Sequence, residues 1–159
     1  MINRNLLRIK VIQVLYSYYK NKQADNDFDM AKDELLMSID KTYELYHFFF
    51  QLVINITEYA EKRTTRRGIP SEEYALAKKI ASNKFAAQLK TNSDLRTYVE
   101  EHDVQWPSQD GSAVKDLYAK IIESEILSEY AKETEPTYQK DKELWKNIFR
   151  RIISDIVLY

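Results

Sequence analysis

The chain has 159 residues and a formal net charge of −1, with 44% hydrophobic and 31% charged residues. This balance excludes a disordered chain and a globally basic protein, so any contact with nucleic acid must come from a local patch. The absence of cysteine excludes disulfides, thiolate metal sites and cysteine nucleophiles, and fits a reducing compartment such as the cytoplasm.

Turn-forming residues are scarce, which predicts an all-α fold. There are two glycines and three prolines, and all of them lie where the apolar periodicity breaks, whereas a β-rich chain would need many more turns. We predict a helical bundle of about six helices with one long central helix, forming a single all-α domain over 1–159. The predicted helices run over about 2–20, 29–67, 72–89, 93–101, 112–132 and 138–159, with a polar connector at 21–27 and a loop at 102–111.

The first predicted helix has two apolar faces, where an ordinary amphipathic surface helix has one. At 100° per residue, one face holds Ile2, Leu6, Ile9, Ile12, Tyr16 and Tyr19, and the other holds Leu7, Val11, Val14, Leu15 and Tyr18. Arg4 and Arg8 share one narrow polar strip between these faces, and Asn3, Lys10 and Ser17 share the other. Such a helix is either central in a bundle or covered on its far side by another subunit or a further part of the chain.

Arg4 and Arg8 lie in the first two turns, where the helix dipole disfavours cations. Two cations at this place need a compensating anion. A phosphate backbone would serve, because guanidinium groups bind phosphate in bidentate fashion and helical N–H groups also favour anions. A carboxylate of the same chain would serve as well, and the periodicity does not choose between the two.

The second predicted helix is unusually long, so it is either unbroken or interrupted by a kink. One apolar stripe follows it through Leu35 or Leu36, Ile39, Tyr43, Tyr46, Phe50, Val53 and Ala60. We predict that its aromatic stretch YELYHFFF is core rather than a base-stacking platform, because Lys41 is the only nearby cation. His47 is expected to be hydrogen-bonded at the edge of the core. The cations of EKRTTRR, residues 61–67, are expected to complement the helix dipole, with Gly68 ending the helix.

Later helix starts are predicted from polar caps. Ser71, followed by Glu72, is a candidate N-cap with an acidic first turn, and Ser93 with Asp94 forms a second. The end of the last predicted helix, FRRIISDIVLY, keeps its apolar period to the final residue, whereas chain ends usually fray into polar residues. We therefore expect an N-terminal fragment of a longer protein, with a short complete protein as the alternative.

No pattern in the chain predicts catalysis. Neither histidine has metal-ligand spacing, no glycine-rich phosphate loop is present, and the paired carboxylates lie among lysines on expected helix surfaces. We predict no enzyme activity, no catalytic residue, no metal site and no cofactor. No signal peptide and no apolar run long enough to span a membrane is recognisable.

Two stretches resemble the NusB family of transcription antitermination factors. Arg8 followed by VIQVLYSY, residues 11–18, resembles the arginine-containing start and A-V-Q-A-L-Y pattern of that family's first helix. The stretch YELYHFFFQLVINITEYAEKR, residues 43–63, is similar to a later helix of that family. The overall sequence pattern resembles lengthened family members from Bacteroidetes-type bacteria. The closing F-V-N-G-x-L-D segment of the family is absent from this chain.

The resemblance implies a non-catalytic RNA-binding protein of the bacterial cytoplasm. Such proteins bind the boxA segment of nascent ribosomal RNA together with a small-subunit ribosomal protein that acts as an elongation factor, within the RNA polymerase elongation complex. By resemblance, Arg4 and Arg8, with Lys10 adjacent, would contact RNA, and Tyr16 and Tyr18 would contact the partner. We expect RNA binding by this chain to be weak, because part of the family pattern is missing.

The alternative is a helical scaffold or oligomerisation module that binds no nucleic acid. In that case the second apolar face of the first helix is an interface, and a homodimer would form through exposed apolar helix faces.

Overall fold

The computed structural model describes residues 3–20, 28–104 and 111–157, and every regular element within them is helical, which confirms the all-α fold class. The helices are α1 (Arg4–Lys20), α2 (Phe28–Thr64), α3 (Ser71–Ala81), α4 (Lys84–Thr91), α5 (Ser93–Glu101), α6 (Ser112–Glu123), α7 (Glu125–Ala131), α8 (Tyr138–Ile148) and α9 (Ser154–Val157). A π-helical turn, Phe149–Ile153, joins α8 to α9. The connector predicted at 21–27, most of the predicted loop, Ile2 and the last two residues lie outside the described residues.

The described part contains more helices than the six or so predicted, because three predicted helices are divided. The helix predicted over 72–89 is α3 and α4, the one over 112–132 is α6 and α7, and the last is interrupted by the π-helical turn. The prediction for α5 is confirmed at both ends.

Contacts divide the chain into two units, Met1–His47 and Phe48–Tyr159, and α2 runs through the boundary between them. The first unit consists, in its described part, of α1 and the beginning of α2, and none of its described residues is buried. The second unit holds all of the buried residues that the structure describes.

α2 is unbroken over 37 residues, about 55 Å at 1.5 Å per residue. Its buried residues all lie in the second unit: Leu52, Val53, Ile56, Thr57 and Ala60. The prediction that YELYHFFF is core is therefore wrong for its first half, because Tyr43, Leu45 and Tyr46 are exposed. Periodicity marked the stripe correctly but did not show that, before residue 48, its described residues are half-buried or exposed rather than buried. α2 ends at Thr64, three residues before the predicted end, so Gly68, with φ +82°, lies in the turn after the helix and not at its C′ position.

The break between α3 and α4 is made by Asn83, which is fully buried. Its side-chain oxygen accepts a hydrogen bond from the N–H of Ala86 at 3.0 Å, which caps α4, and its amide donates to the backbone oxygen of Asp141 at 3.3 Å. Ser124 divides α6 from α7 in the same way, since its hydroxyl accepts from the N–H of Leu127 at 3.3 Å. No glycine or proline marks either break.

Two predicted N-caps are wrong by one residue. Pro70 occupies the cap position of α3, and Ser71 is the first helical residue with no capping hydrogen bond from its side chain. Asn92 rather than Ser93 caps α5, because its side-chain oxygen accepts from the N–H of Leu95 at 2.9 Å. An asparagine carbonyl oxygen serves as well as a serine hydroxyl at this position.

The core of the second unit forms where α2, α3, α4, α6, α7, α8 and the π-helical turn supply apolar side chains. Its largest fully buried members are Trp145, Leu52, Ile56, Ile80, Ile121, Leu127 and Ile148. α6 and α7 turn Leu117, Tyr118, Ile121 and Leu127 inward, with Val114 and Ile122 packed against them. Burial of such side chains is the main term that stabilises this unit.

Candidate functional site

The N-terminus of α1 is capped by its own preceding residue. The side-chain oxygen of Asn3 accepts from the N–H of Leu6 at 2.9 Å, and its backbone oxygen accepts from the N–H of Leu7 at 3.2 Å. The first turn contains no acidic residue, so no carboxylate within it offsets the positive end of the helix dipole. The start of α1 therefore combines a positive helix end with the basic side chains of Arg4 and Arg8.

Arg4 and Arg8 are both exposed, four residues apart on one face of α1. Within the described part of the chain neither guanidinium pairs with a carboxylate or makes a hydrogen bond. Of the two anions that could compensate these cations, a carboxylate of the same chain is thus not found among the described residues.

Lys10 is not brought together with the two arginines. It is half-buried, and its ammonium group donates to the hydroxyl of Ser38 on α2 at 2.6 Å. At 100° per residue it lies about 160° from Arg8 around the α1 axis. Its position ties α1 to α2 within the first unit.

The two predicted partner-binding tyrosines lie on different faces. Tyr16 is 67% exposed, and the ammonium group of Lys20 lies 5.7 Å from the centre of its ring. Tyr18 is half-buried, with its ring edge-on to that of Tyr19 at 5.6 Å between centroids. Tyr19 is 65% exposed and was not among the predicted site residues, although its helical spacing from Tyr16 was a signal for it.

The covered side of α1 is not either of the two predicted apolar faces. Its half-buried residues are Leu6, Leu7, Lys10, Val14, Ser17 and Tyr18, which lie on both sides of the Lys10–Ser17 strip. The opposite side is exposed and joins apolar, aromatic and basic groups. We call it the α1 face: Arg4, Arg8, Ile12, Leu15, Tyr16 and Tyr19. Sequence periodicity located these residues but not which side α2 covers.

Exposed apolar side chains are concentrated in the first unit. Among described residues, every large hydrophobic side chain that is exposed lies on α1 or on α2 before residue 48, except Tyr74 and Tyr138. Exposed apolar patches of this kind mark interaction surfaces in folded proteins. The first unit is therefore the candidate macromolecular interface, and the α1 face is its basic part.

The second basic cluster is partly an internal ion pair. Arg63 donates through Nε to Glu73 at 2.8 Å, and its Nη2 lies 2.6 Å from the same carboxylate oxygen. This hydrogen bond raises the pKa of Arg63. Tyr118 also donates to that oxygen at 3.2 Å, and burial together with the charge of Glu73 raises the tyrosine pKa to about 12. Arg63 thus joins α2 to α3, beyond complementing the helix dipole.

A ring nitrogen of each histidine lies close to a backbone oxygen four residues earlier. Nδ1 of His47 lies 2.8 Å from the backbone oxygen of Tyr43, and Nδ1 of His102 lies 3.0 Å from that of Tyr98. The His102 ring stacks on Tyr98 at 4.0 Å. Across the described residues, no three histidine or acidic side chains are placed to hold a metal ion, and no helix combines the length and apolar character needed to cross a membrane.

Comparison of the chain with protein-family models, with curated proteins and with solved structures gives no significant match.

Proposed function

We propose that the protein is a non-catalytic, RNA-associated transcription antitermination factor of the NusB type. It would act in the cytoplasm on a boxA-like segment of nascent ribosomal RNA, within the RNA polymerase elongation complex. A small-subunit ribosomal protein acting as elongation factor would complete the binding site. The proposal rests on the resemblance of residues 8–18 to the first helix of that family.

One observation carries the proposal: Arg4 and Arg8 are exposed at the N-terminal end of α1 without a carboxylate partner in the described chain. A phosphate group would compensate both guanidinium groups and the positive helix end. Phosphate contacts position RNA without reading its sequence, so selectivity for boxA would come from bases against aromatic groups and from the protein partner. Tyr16 and Tyr19 offer exposed rings on the same face.

The arrangement of Tyr18 and Lys10 limits their part in this proposal. Both are half-buried on the covered side of α1, so they would support the hairpin of α1 and α2 rather than contact RNA. Tyr16 is the better candidate for the partner contact, because its ring is mostly exposed.

A salt titration with a boxA-like RNA tests the proposal. The affinity of the full chain should fall as salt rises, and Arg4→Ala/Arg8→Ala should bind more weakly. If each arginine neutralises one phosphate of a single strand, the double variant lowers the slope of log K against log salt by about 1.4. The measurement is fluorescence anisotropy of labelled RNA, with and without the ribosomal protein.

Arg66→Ala/Arg67→Ala is the matched control, since it removes two exposed arginines from the second unit. It should leave the affinity and the slope close to those of the wild-type chain. Equal losses in both double variants would mean that only net charge matters. An unchanged affinity in Arg4→Ala/Arg8→Ala would refute the RNA site.

A second candidate function, a helical oligomerisation module, is favoured by the charge pattern of the first unit. The described residues of α1 carry basic groups and no acidic group. The exposed acidic residues of α2 before residue 48 are Asp29, Asp33, Glu34, Asp40 and Glu44. In a symmetric dimer, α1 of one copy could lie against α2 of its partner and cover both apolar surfaces.

The titration series separates the two candidates. An oligomerisation module would sediment as a dimer at micromolar concentration and would show no RNA affinity above that of a polyuridylate control. An RNA-associated factor would bind the boxA-like RNA more tightly than polyuridylate, whatever its oligomeric state.

A further inference from the structure

A groove lined by aromatic side chains lies in the second unit, and its lining includes none of the α1 residues that carry the proposed function. It has a volume of about 520 Å³. We call it the aromatic groove, and its lining residues are Phe50, Phe85, Trp145 and Phe149, with Gln139, Lys142, Glu143 and Lys146 completing it. They come from α2, α4, α8 and the π-helical turn.

The aromatic rings are held in place by the core. Trp145 is 1% exposed and belongs to the core. Phe149 packs edge-to-face on Phe49 with ring centroids 5.1 Å apart, and Phe85 packs on Tyr138 at 6.2 Å. The groove is therefore supported by packed rings, which lowers the entropic cost of binding an apolar group.

Trp145 has an unused hydrogen-bond donor. Its indole N–H is buried and has no acceptor among the described residues. A buried donor without a partner costs free energy, and buried indole N–H groups usually find an acceptor. Because the core encloses this N–H, Trp145 serves the groove through its ring and not as a donor to a ligand.

The groove has a positive rim. Lys142 and Lys146 are exposed, lie four residues apart on α8, and form no ion pair within the described chain. Glu143 is the only acidic residue that lines the groove in the described part of the structure. The rim thus favours a ligand that carries more than one negative charge.

We propose that the aromatic groove binds a short acidic peptide segment of another protein. An aromatic or aliphatic side chain of the segment lies against the phenylalanines, and flanking carboxylates bind Lys142 and Lys146. The volume lies within the range of about 300–1,000 Å³ that is common for binding sites.

The geometry favours a peptide over RNA. Stacking of bases needs aromatic faces that are open to solvent, interleaved with cations. Here Trp145 is buried, and Phe50, Phe85 and Phe149 are only half-exposed. A concave apolar floor suits one inserted side chain better than a row of stacked bases.

Selection of a phage-displayed random heptapeptide library on the immobilised full chain tests this inference. Counter-selection uses Lys142→Glu/Lys146→Glu, which changes exposed residues only and should fold normally. Enriched peptides should carry at least two acidic residues around an aromatic or large aliphatic residue. If acidic sequences are not enriched over the counter-selecting variant, the inference is wrong.

The most enriched peptide is then synthesised and titrated calorimetrically. Lys142→Glu/Lys146→Glu should weaken its binding at least tenfold, whereas Lys78→Glu/Lys132→Glu, two exposed lysines elsewhere in the second unit, should not. Displacement of the peptide by polyuridylate would overturn the inference in favour of nucleic acid. Arg4→Ala/Arg8→Ala should bind the peptide normally, so a failure of the RNA proposal can be told apart from a failure of the peptide proposal.

Discussion

Removing the buried carboxylate of Asp141 should destabilise the second unit strongly. Asp141 is 1% exposed. One of its oxygens accepts from the backbone N–H of Lys84 at 2.8 Å, and the other accepts from the hydroxyl of Tyr130 at 2.6 Å. It therefore holds the start of α4 and the end of α7 against α8, together with the hydrogen bond from Asn83 to its backbone oxygen.

The magnitude follows from these two contacts. A hydrogen bond to a charged group contributes about 1.5–3 kcal/mol, so loss of both in Asp141→Ala should lower the free energy of unfolding by about 3 kcal/mol or more. Asp141→Asn keeps one acceptor oxygen and should cost about half as much. Tyr130→Phe removes one bond and leaves the other, so it should resemble Asp141→Asn. Because Asp141 and Tyr130 are in contact, Asp141→Asn/Tyr130→Phe should lower the free energy of unfolding by less than the sum of the two single variants.

Urea unfolding followed by circular dichroism measures these values. With a slope of about 2 kcal/mol per molar urea, Asp141→Ala should lower the unfolding midpoint by about 1.5 M. Glu143→Ala is the matched control, because it removes an exposed carboxylate from the same helix and should change stability by less than about 0.5 kcal/mol. Equal midpoints for Asp141→Ala and Glu143→Ala would refute the assigned role of the buried carboxylate.

Two further predictions concern pH and packing. The pKa of Tyr118 is raised from 10 to about 12, so this tyrosine ionises at a lower pH in the unfolded state than in the folded state. Its contribution to stability is therefore complete below pH 10 and is lost as pH rises towards 12. Unfolding midpoints between pH 9 and 12 should fall less steeply in Tyr118→Phe, and parallel curves would contradict this. Leu52→Ala should lower the free energy of unfolding by about 2–5 kcal/mol because Leu52 is fully buried. Ile12→Ala on the exposed α1 face should lower it by less than about 0.5 kcal/mol. Similar losses of stability for both variants on thermal unfolding would show that the α1 face is covered in solution.

The start of α1 shows how far sequence reasoning reached at the candidate site. The periodicity placed Arg4 and Arg8 on one strip and Lys10 on another, and the structure has them on opposite sides of α1. It did not identify the covered side, because both candidate faces were apolar. The covered side is the one on which Lys10 donates to Ser38, a contact between residues 28 positions apart.

The breaks at Asn83 and Ser124 show the same limit within the fold. Each interrupts an apolar period that continues on both sides, and neither contains glycine or proline. A polar residue buried in a helix break is stable only when its hydrogen bonds are satisfied. For Asn83 the partner is Asp141, 58 residues later, and no local pattern reports such a pairing.

The sequence by itself determined the all-α class and the bounds of α5, because these depend on local propensity and on apolar spacing along one helix. Only the tertiary structure decided which stripes are covered. The stripe of α2 is buried after residue 48 and half-buried or exposed before it, and α1 turns Arg4, Arg8 and Tyr16 outward. A stripe is apolar whether or not another helix lies on it, so its burial is decided by contacts between distant parts of the chain.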